Sequence, residues 1–248
     1  MDAATPGDDS TLPTVAAVRH RKMEATQHLL GDTIRLSDEE WQSPSLLPGW
    51  TRAHVATHLA RNADGLTRSA RGFIEGSPVP MYASESERQS EIERGSERSG
   101  LELQIDLDTS AGELNRVLTD LMALPDERLA EPVQLRPRFS VPARLLPMAR
   151  LSEVVLHRID LGVGYTIDDL EDDIAGWLLD WVLLRLSNRV DIPRLRLVSS
   201  SGRVATTGTF GDEVEVSGDD RHLLGWLTGR SGAESLTQAD LAVLPLIG

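Results

Sequence analysis

Two pairs of potential metal ligands stand out in this 248-residue sequence because each pair has helical spacing. His54 and His58 are four residues apart, and so are Glu153 and His157. Residues at positions i and i+4 of a helix lie on one face, with Cβ atoms about 5–6 Å apart, so both side chains can reach one ion. A histidine from one helix and a Glu-x-x-x-His pair from another would form a site with two nitrogen ligands and one carboxylate.

Such a site has only three protein ligands and leaves a coordination position open, as a catalytic zinc ion requires. The spacing alone does not make a site, since most helical histidines are surface residues or core groups with hydrogen-bond partners. The spacing also does not decide between His54 and His58, because both lie beside the apolar stripe of Val55 and Leu59.

The composition argues against several function classes. The formal net charge of −14 repels nucleic-acid backbones and acidic membranes, so neither is an expected partner. The chain has no cysteine, so any thiol chemistry must come from a bound small molecule. No apolar run approaches the roughly 18–20 residues that span a bilayer. Residues 1–13 lack a basic start and an apolar stretch, so we expect a loose tail and a cytoplasmic protein.

Four long helices are predicted to position the candidate ligands. Apolar residues at helical spacing predict them over residues 14–36, 51–73, 100–125 and 147–161. Thr51 is a suitable N-cap for the second helix, and Gly162 would end the fourth. Ser37 and Glu40 form a capping-box pattern for a short additional helix. Four main helices of this length predict an antiparallel bundle.

The segments outside these four helices are predicted to have different secondary structures. Residues 84–99 are charged and predicted to be helical, whereas three prolines in residues 131–142 predict an irregular connection. After Tyr165 the sequence predicts a mixture of helices and short strands at residues 168–188, 195–197, 204–206, 214–216 and 223–227. We therefore predict a mainly α protein with a helical bundle in residues 1–165 and a small α/β domain in residues 166–248.

The candidate ligands lie in two stretches, LPGWTRAHVATHLA at residues 47–60 and SEVVLHRIDLG at residues 152–162. Both stretches resemble the characteristic segments of the mycothiol-dependent maleylpyruvate isomerase family. A looser similarity extends over nearly the whole chain, with matches at residues 80–82, 91–92 and 211–218. The family's fold is a DinB-like four-helix bundle followed by a small α/β domain, which agrees with the fold predicted above.

This resemblance implies a set of metal ligands and a reaction. It implies that His58, Glu153 and His157 bind a divalent metal, zinc, while His54 is only a neighbour of the site. It further implies that mycothiol binds at the open position as a thiolate and adds to the cis double bond of maleylpyruvate. Rotation of the new single bond and elimination of the thiolate would give fumarylpyruvate, and the chain would need no cysteine of its own.

The resemblance also points to residues around the metal. Asp160 follows His157 by three residues and would orient a metal ligand or the bound thiol, although it could equally be an ordinary exposed acid. Arg88 and Arg230 resemble arginines of the family and would bind the carboxylates of a dianionic, maleylpyruvate-like substrate. In a chain with 24 arginines, either could also be a solvated surface residue. Tyr82 could donate a hydrogen bond or simply pack.

Two alternative functions remain open at this point. A mycothiol S-transferase of the same fold would use the same site to join the thiol to a different electrophile. A non-catalytic binding module would keep the metal only for structure, and a fourth protein ligand such as His54 would point to that role.

Overall fold

The computed structural model describes residues 13–187, 189 and 191–238, and helices make up most of this part of the chain. The α-helices are α1 Val15–Thr33, α2 Asp38–Gln42, α3 Arg52–Ile74, α4 Glu85–Ser96, α5 Gly100–Leu121, α6 Asp126–Leu129, α7 Leu146–Asp160, α8 Asp172–Leu186 and α9 Asp220–Leu227. The strands are β1 Pro132–Arg136, β2 Phe139–Pro142, β3 Pro193–Ser199, β4 Val204–Thr207 and β5 Phe210–Gly218. None of these described helices has the length and apolar character needed to cross a membrane.

Helices α1, α3, α5 and α7 form the predicted four-helix bundle. Helix α3 packs against α5 and α7, and α1 packs against the same two helices, so the four surround one apolar core. The side chains of α3 that point into it include Val55, Leu59, Ala63, Leu66 and Ala70, which are the stripe read from the sequence. The predicted fold class, mainly α with a small α/β part, is confirmed.

Local signals in the sequence place the ends of these helices. The capping box of Ser37 and Glu40 is present, and the Thr51 hydroxyl accepts a hydrogen bond from the backbone N–H of His54 at the start of α3. Pro147 lies in the first turn of α7, where its missing N–H costs nothing. Gly162, two residues after the end of α7, adopts a φ of 63°, a left-handed conformation that ends the helix.

The prediction of an irregular connection over residues 131–142 is wrong, because this segment forms a β-hairpin of β1 and β2. Its prolines occupy positions that do not interrupt the ladder. Pro132 and Pro142 face each other at the open end of the hairpin, and Pro137 lies in the turn. Arg138 completes the turn with a φ of 65°. The number of prolines is therefore a misleading signal here, because each proline occupies a position that a β-hairpin tolerates.

The C-terminal part contains a three-stranded sheet in the order β4-β3-β5. Strand β3 is antiparallel to β4 and parallel to β5, and α8 and α9 pack against each other and against this sheet. The three predicted strands are present. Helix α8 begins four residues later than predicted, after a short 3-10 turn at Ile167–Asp169. Asn188, the predicted end of that helix, and nearly all of the predicted N-terminal tail lie outside the described residues. The predicted boundary at residue 165 stays a prediction.

The bundle core contains the only lysine of the chain. Lys22 on α1 is 3% exposed, and its ammonium group donates a hydrogen bond to Oδ1 of Asn115 on α5 at 2.8 Å. Burial, together with the charges of Arg150 and Arg19, lowers the pKa of Lys22 from 10.5 to about 8. At neutral pH the folded protein therefore keeps a charged amine that the unfolded chain would solvate better.

We expect Lys22→Met to raise the free energy of unfolding at pH 7 by up to about 3 kcal/mol, because the cost of a buried charge disappears. The unfolded chain binds this proton more tightly than the folded one, so the stability of the unchanged protein should rise as the pH increases from 8 to 10.5. The advantage of the variant should therefore shrink over that window. Urea unfolding of both proteins at pH 7 and pH 10 measures this, and an advantage that grows with pH would contradict it.

Candidate active site

Three side chains from two bundle helices meet at one end of the core. His58 comes from α3, and Glu153 and His157 come from successive turns of α7. The Nε2 atom of His58 lies 3.0 Å from Oε2 of Glu153 and 3.0 Å from Nε2 of His157. The distance between Nε2 of His157 and Oε2 of Glu153 is 3.5 Å. Both histidines are buried and Glu153 is partly buried, so the three ligand atoms converge in a sheltered position.

The donor set fits a divalent cation. Nη2 of Arg88 lies 3.1 Å from Nδ1 of His58. Nε2 of His58 faces Nε2 of His157 and Oε2 of Glu153. A divalent cation between these three atoms would meet two imidazole nitrogens and one carboxylate, which is a catalytic zinc donor set.

The electrostatics of His58 and Glu153 favour metal binding. Burial and the neighbouring His157 lower the pKa of His58 to about 4, so the ring is neutral at pH 7 and able to coordinate. Burial raises the pKa of the Glu153 carboxyl, but hydrogen bonds with His157 and His58 outweigh this effect and bring the pKa well below 4.5. Burial lowers the pKa of His157, but hydrogen bonds with Asp160 and Glu153 outweigh this effect and raise it above 6.5, so a metal at the site would displace a proton from this ring.

Asp160 holds His157 in position from behind. Its Oδ2 accepts a hydrogen bond from Nδ1 of His157 at 2.7 Å and another from Nη2 of Arg230 at 2.6 Å. Burial raises the pKa of Asp160, yet the bond with His157 and the charge of Arg230 bring it below its ordinary value. A carboxylate on Nδ1 fixes the tautomer that leaves Nε2 of His157 free for a metal. Asp160 is thus a buried link between helix α7 and the turn after α9.

His54 is directed away from the three converging residues. Its Nδ1 lies 2.7 Å from the Thr51 hydroxyl at the start of α3, and its Nε2 lies 3.3 Å from Oε2 of Glu93 and 3.2 Å from the hydroxyl of Ser96. Both ring nitrogens are therefore engaged in capping α3 and in contacting α4. Among the described residues, the only group of three or more potential ligands that converges as a metal site is His58, Glu153 and His157.

A cavity of about 540 Å³ opens beside His58 and His157. Its lining combines an apolar wall with charged residues, namely Leu46, Leu47, Pro48, Trp50, Ile159, Thr228 and Gly229 with Glu85, Arg88, Arg136, Asp160 and Arg230. The Trp50 ring lies 5.6 Å from the His58 ring and shields it on one side. The cavity thus presents three guanidinium groups next to the potential metal ligands His58 and His157. This arrangement is suited to an anionic small molecule.

Two buried or partly buried arginines keep α3 and α7 in register. Nη1 of Arg150, on α7, donates to the carbonyl of Leu59 and to Oδ1 of Asn62, both at 2.8 Å. Nε of Arg52, at the start of α3, donates to the carbonyl of Leu161 at 2.8 Å, just beyond α7. Because these contacts lie on both sides of the three converging residues, they fix the relative height of the helices that present them.

The structure brings five of the six predicted site residues to the wall of this cavity, and the sixth, Glu153, contacts two of them. His58, Glu153 and His157 converge, Arg88 contacts His58, and Asp160 contacts both His157 and Arg230. The ring of Tyr82 packs against the guanidinium groups of Arg88 and Arg136, which line the cavity. Sequence reasoning missed Glu85, Trp50 and Arg136. Trp50 lies within the characteristic stretch at residues 47–60, which was a usable signal, whereas Arg136 lies in the segment that was not recognised as a hairpin.

Comparisons with known proteins agree with this picture. Residues 23–162, more than half of the chain, match the family model described as "Mycothiol maleylpyruvate isomerase N-terminal domain". A crystal structure of the mycothiol-dependent maleylpyruvate isomerase is similar with a TM-score of 0.80 and 26% sequence identity, covering 92% of this chain and 93% of that one. A histidine-to-alanine mutant of that enzyme matches with the same TM-score and coverage at 25% identity. No curated protein matches by sequence.

The matched region extends from within α1 to just beyond α7 and includes all three converging residues. The similarity to the solved structures covers 92% of this chain, so it extends well beyond the region matched by the family model. The resemblance seen in the two characteristic stretches is thereby confirmed, and the chain belongs to the mycothiol-dependent maleylpyruvate isomerase family.

Proposed function

We propose that this chain is a metal- and mycothiol-dependent cis–trans isomerase that converts maleylpyruvate to fumarylpyruvate. The observation that carries this proposal is the convergence of His58, Glu153 and His157 at the wall of a cavity that also presents three arginines. In this proposal the three residues hold a divalent metal, zinc, and the cavity takes a small dicarboxylate beside the thiol.

The metal would lower the pKa of a thiol placed at its open position, so that a thiolate is available near neutral pH. Mycothiol would bring that thiol, since the chain has no cysteine. The protein's own task is then to hold the ligand atoms and to exclude water. His58 and His157 are buried, and the apolar side chains of Leu46, Leu47 and Trp50 line the cavity beside them.

Arg88, Asp160 and Arg230 have separate roles in this proposal. Addition of a thiolate to a double bond conjugated with carbonyl groups places negative charge on a carbonyl oxygen, which a nearby guanidinium stabilises. Arg88 and Arg230 line the cavity and can donate to that oxygen or to a carboxylate. Asp160 acts through its two partners, because it orients the ring of His157 and the guanidinium of Arg230.

The same geometry argues against the two alternative functions, a mycothiol S-transferase and a non-catalytic metal-binding module. Three arginines in one cavity favour a dicarboxylate over an uncharged electrophile, which supports an isomerase rather than an S-transferase. A purely structural metal would call for a fourth protein ligand, and His54 faces Glu93 and Ser96 instead. A three-ligand site beside an open cavity supports catalysis.

We expect purified, zinc-loaded protein to isomerise maleylpyruvate only when mycothiol is added, and to lose this activity after removal of the metal by a chelator. The absorbance change of the substrate measures the reaction, and cysteine in place of mycothiol is the thiol control. If the loaded protein with mycothiol leaves maleylpyruvate unchanged, the proposal is wrong. Conjugation of mycothiol to an uncharged electrophile under the same conditions would then favour the S-transferase.

A further inference from the structure

Glu85 lies between two arginines at the mouth of the cavity. Its Oε1 accepts a hydrogen bond from Nη1 of Arg88 at 2.8 Å, and its Oε2 lies 3.4 Å from Nη1 of Arg136. The Glu85 side chain is 70% exposed, whereas those of Arg88 and Arg136 are 11% and 32% exposed. One solvent-exposed carboxylate therefore bridges two guanidinium groups that are partly withdrawn from solvent.

The two arginines are held in place independently of Glu85. Both guanidinium groups lie over the ring of Tyr82, at 5.7 Å for Arg88 and 5.6 Å for Arg136. They come from different elements, Arg88 from the first turns of α4 and Arg136 from the end of β1. The partly buried ring of Tyr82 is contacted by two cations from separate elements, and such contacts fix the direction in which the donors point.

The charge balance distinguishes this pair from Arg230. Arg230 has a permanent buried partner in Asp160, with exposed side-chain fractions of 6% and 2%. Arg88 and Arg136 share the single carboxylate of Glu85, so this cluster has one positive charge more than it has negative charges. A carboxylate of the substrate would bind between the two guanidinium groups in the same way as the Glu85 carboxylate does.

We infer that Arg88 and Arg136 form a subsite for one carboxylate of the substrate, and that Glu85 is a built-in competitor occupying this subsite. The inference rests on the proposed function for the nature of the substrate, a small dicarboxylate. An exposed ion pair is weak, so an incoming carboxylate displaces Glu85 at little cost. A monovalent anion that lacks a second anchor at the metal gains too little to displace it, and Glu85 thus contributes to specificity for dianions.

Removal of the competitor should strengthen binding. We expect Glu85→Gln to bind maleate, used as a dianionic probe, roughly fivefold more tightly than the unchanged protein, because neutral Gln no longer competes for the two arginines. Isothermal titration calorimetry of the zinc-loaded protein gives the dissociation constants directly. Arg136→Gln should weaken maleate binding roughly tenfold, and the double variant Glu85→Gln/Arg136→Gln should lose most of the gain.

Glu87→Gln is the matched control, because Glu87 also lies in the first turn of α4 and its replacement removes the same charge. Its maleate affinity should stay within about twofold of the unchanged protein, since remote exposed charges are largely screened. The inference is overturned if Glu85→Gln binds maleate no more tightly than the unchanged protein, binds none at all, or gains only as much as Glu87→Gln.

Failure of this inference can be told apart from failure of the proposed function. If Glu85→Gln tightens maleate binding but no variant isomerises maleylpyruvate with mycothiol, the subsite stands and the isomerase function falls. If the protein isomerises maleylpyruvate while Glu85→Gln leaves the binding of maleate unchanged, the isomerase function stands and the role of Glu85 falls.

Discussion

His58→Ala is expected to lose both the bound metal and the catalytic activity. His58 supplies the only potential ligand from α3, and without it the described site retains just Glu153 and His157 on α7. Loss of groups that merely support a metal ligand lowers metal affinity 10- to 100-fold, so loss of a ligand should cost at least roughly 100-fold. Activity should fall on the order of a thousandfold or more, because no thiolate would be generated.

Metal analysis after gel filtration and a turnover assay with mycothiol measure the two effects together. His54→Ala is the matched control, since His54 lies one turn earlier on α3 and faces α4. It should retain full metal content. It loses the capping contact with Thr51, worth about 1 kcal/mol of stability, and the contacts with Glu93 and Ser96 on α4. Full metal content and activity in His58→Ala, or metal loss in His54→Ala, would show that the ligands are assigned wrongly.

The choice between these two histidines shows what the sequence could predict about the site. Spacing identified both pairs, but His54 and His58 border the same apolar stripe, so periodicity could not separate them. The structure shows a local reason, because His54 is the third residue of α3 and folds back onto its N-cap, Thr51. The pattern Thr-x-x-His has the spacing of a capping box, with histidine in place of the usual glutamate. That signal was available in the sequence.

Other features depend on contacts that no local pattern reveals. Arg136 reaches the cavity only because residues 132–142 form a hairpin, and the prolines of this segment hid the strand pattern. Arg150 is buried in the bundle core, where its guanidinium donates to the carbonyl of Leu59 instead of pairing with a carboxylate. Both roles follow from distant parts of the chain meeting in space. The positions of the helices could be predicted from the sequence, but the partners of individual arginines could not.

Asp160→Ala is expected to destabilise the protein and to weaken metal binding in the same step. The substitution leaves two buried groups without their partner, Nδ1 of His157 and the guanidinium of Arg230. Breaking a buried ion pair by removal of one partner costs roughly 3–5 kcal/mol, because the remaining charge stays desolvated. The metal affinity should fall roughly 10- to 100-fold, since His157 is no longer held in the tautomer and orientation that coordination needs.

Asp160→Asn separates these two effects, because its amide oxygen can still accept from His157 while the negative charge facing Arg230 is lost. We expect Asn to retain more metal affinity than Ala and to lose less stability. Urea unfolding in the presence of a chelator measures stability without any contribution from bound metal, and competition with a chelating dye measures metal affinity. Glu215→Ala, which breaks only the exposed pair with Arg196 on the sheet, should cost less than about 1 kcal/mol and leave metal affinity unchanged. If Asp160→Ala behaves like this control, Asp160 neither positions His157 nor stabilises Arg230.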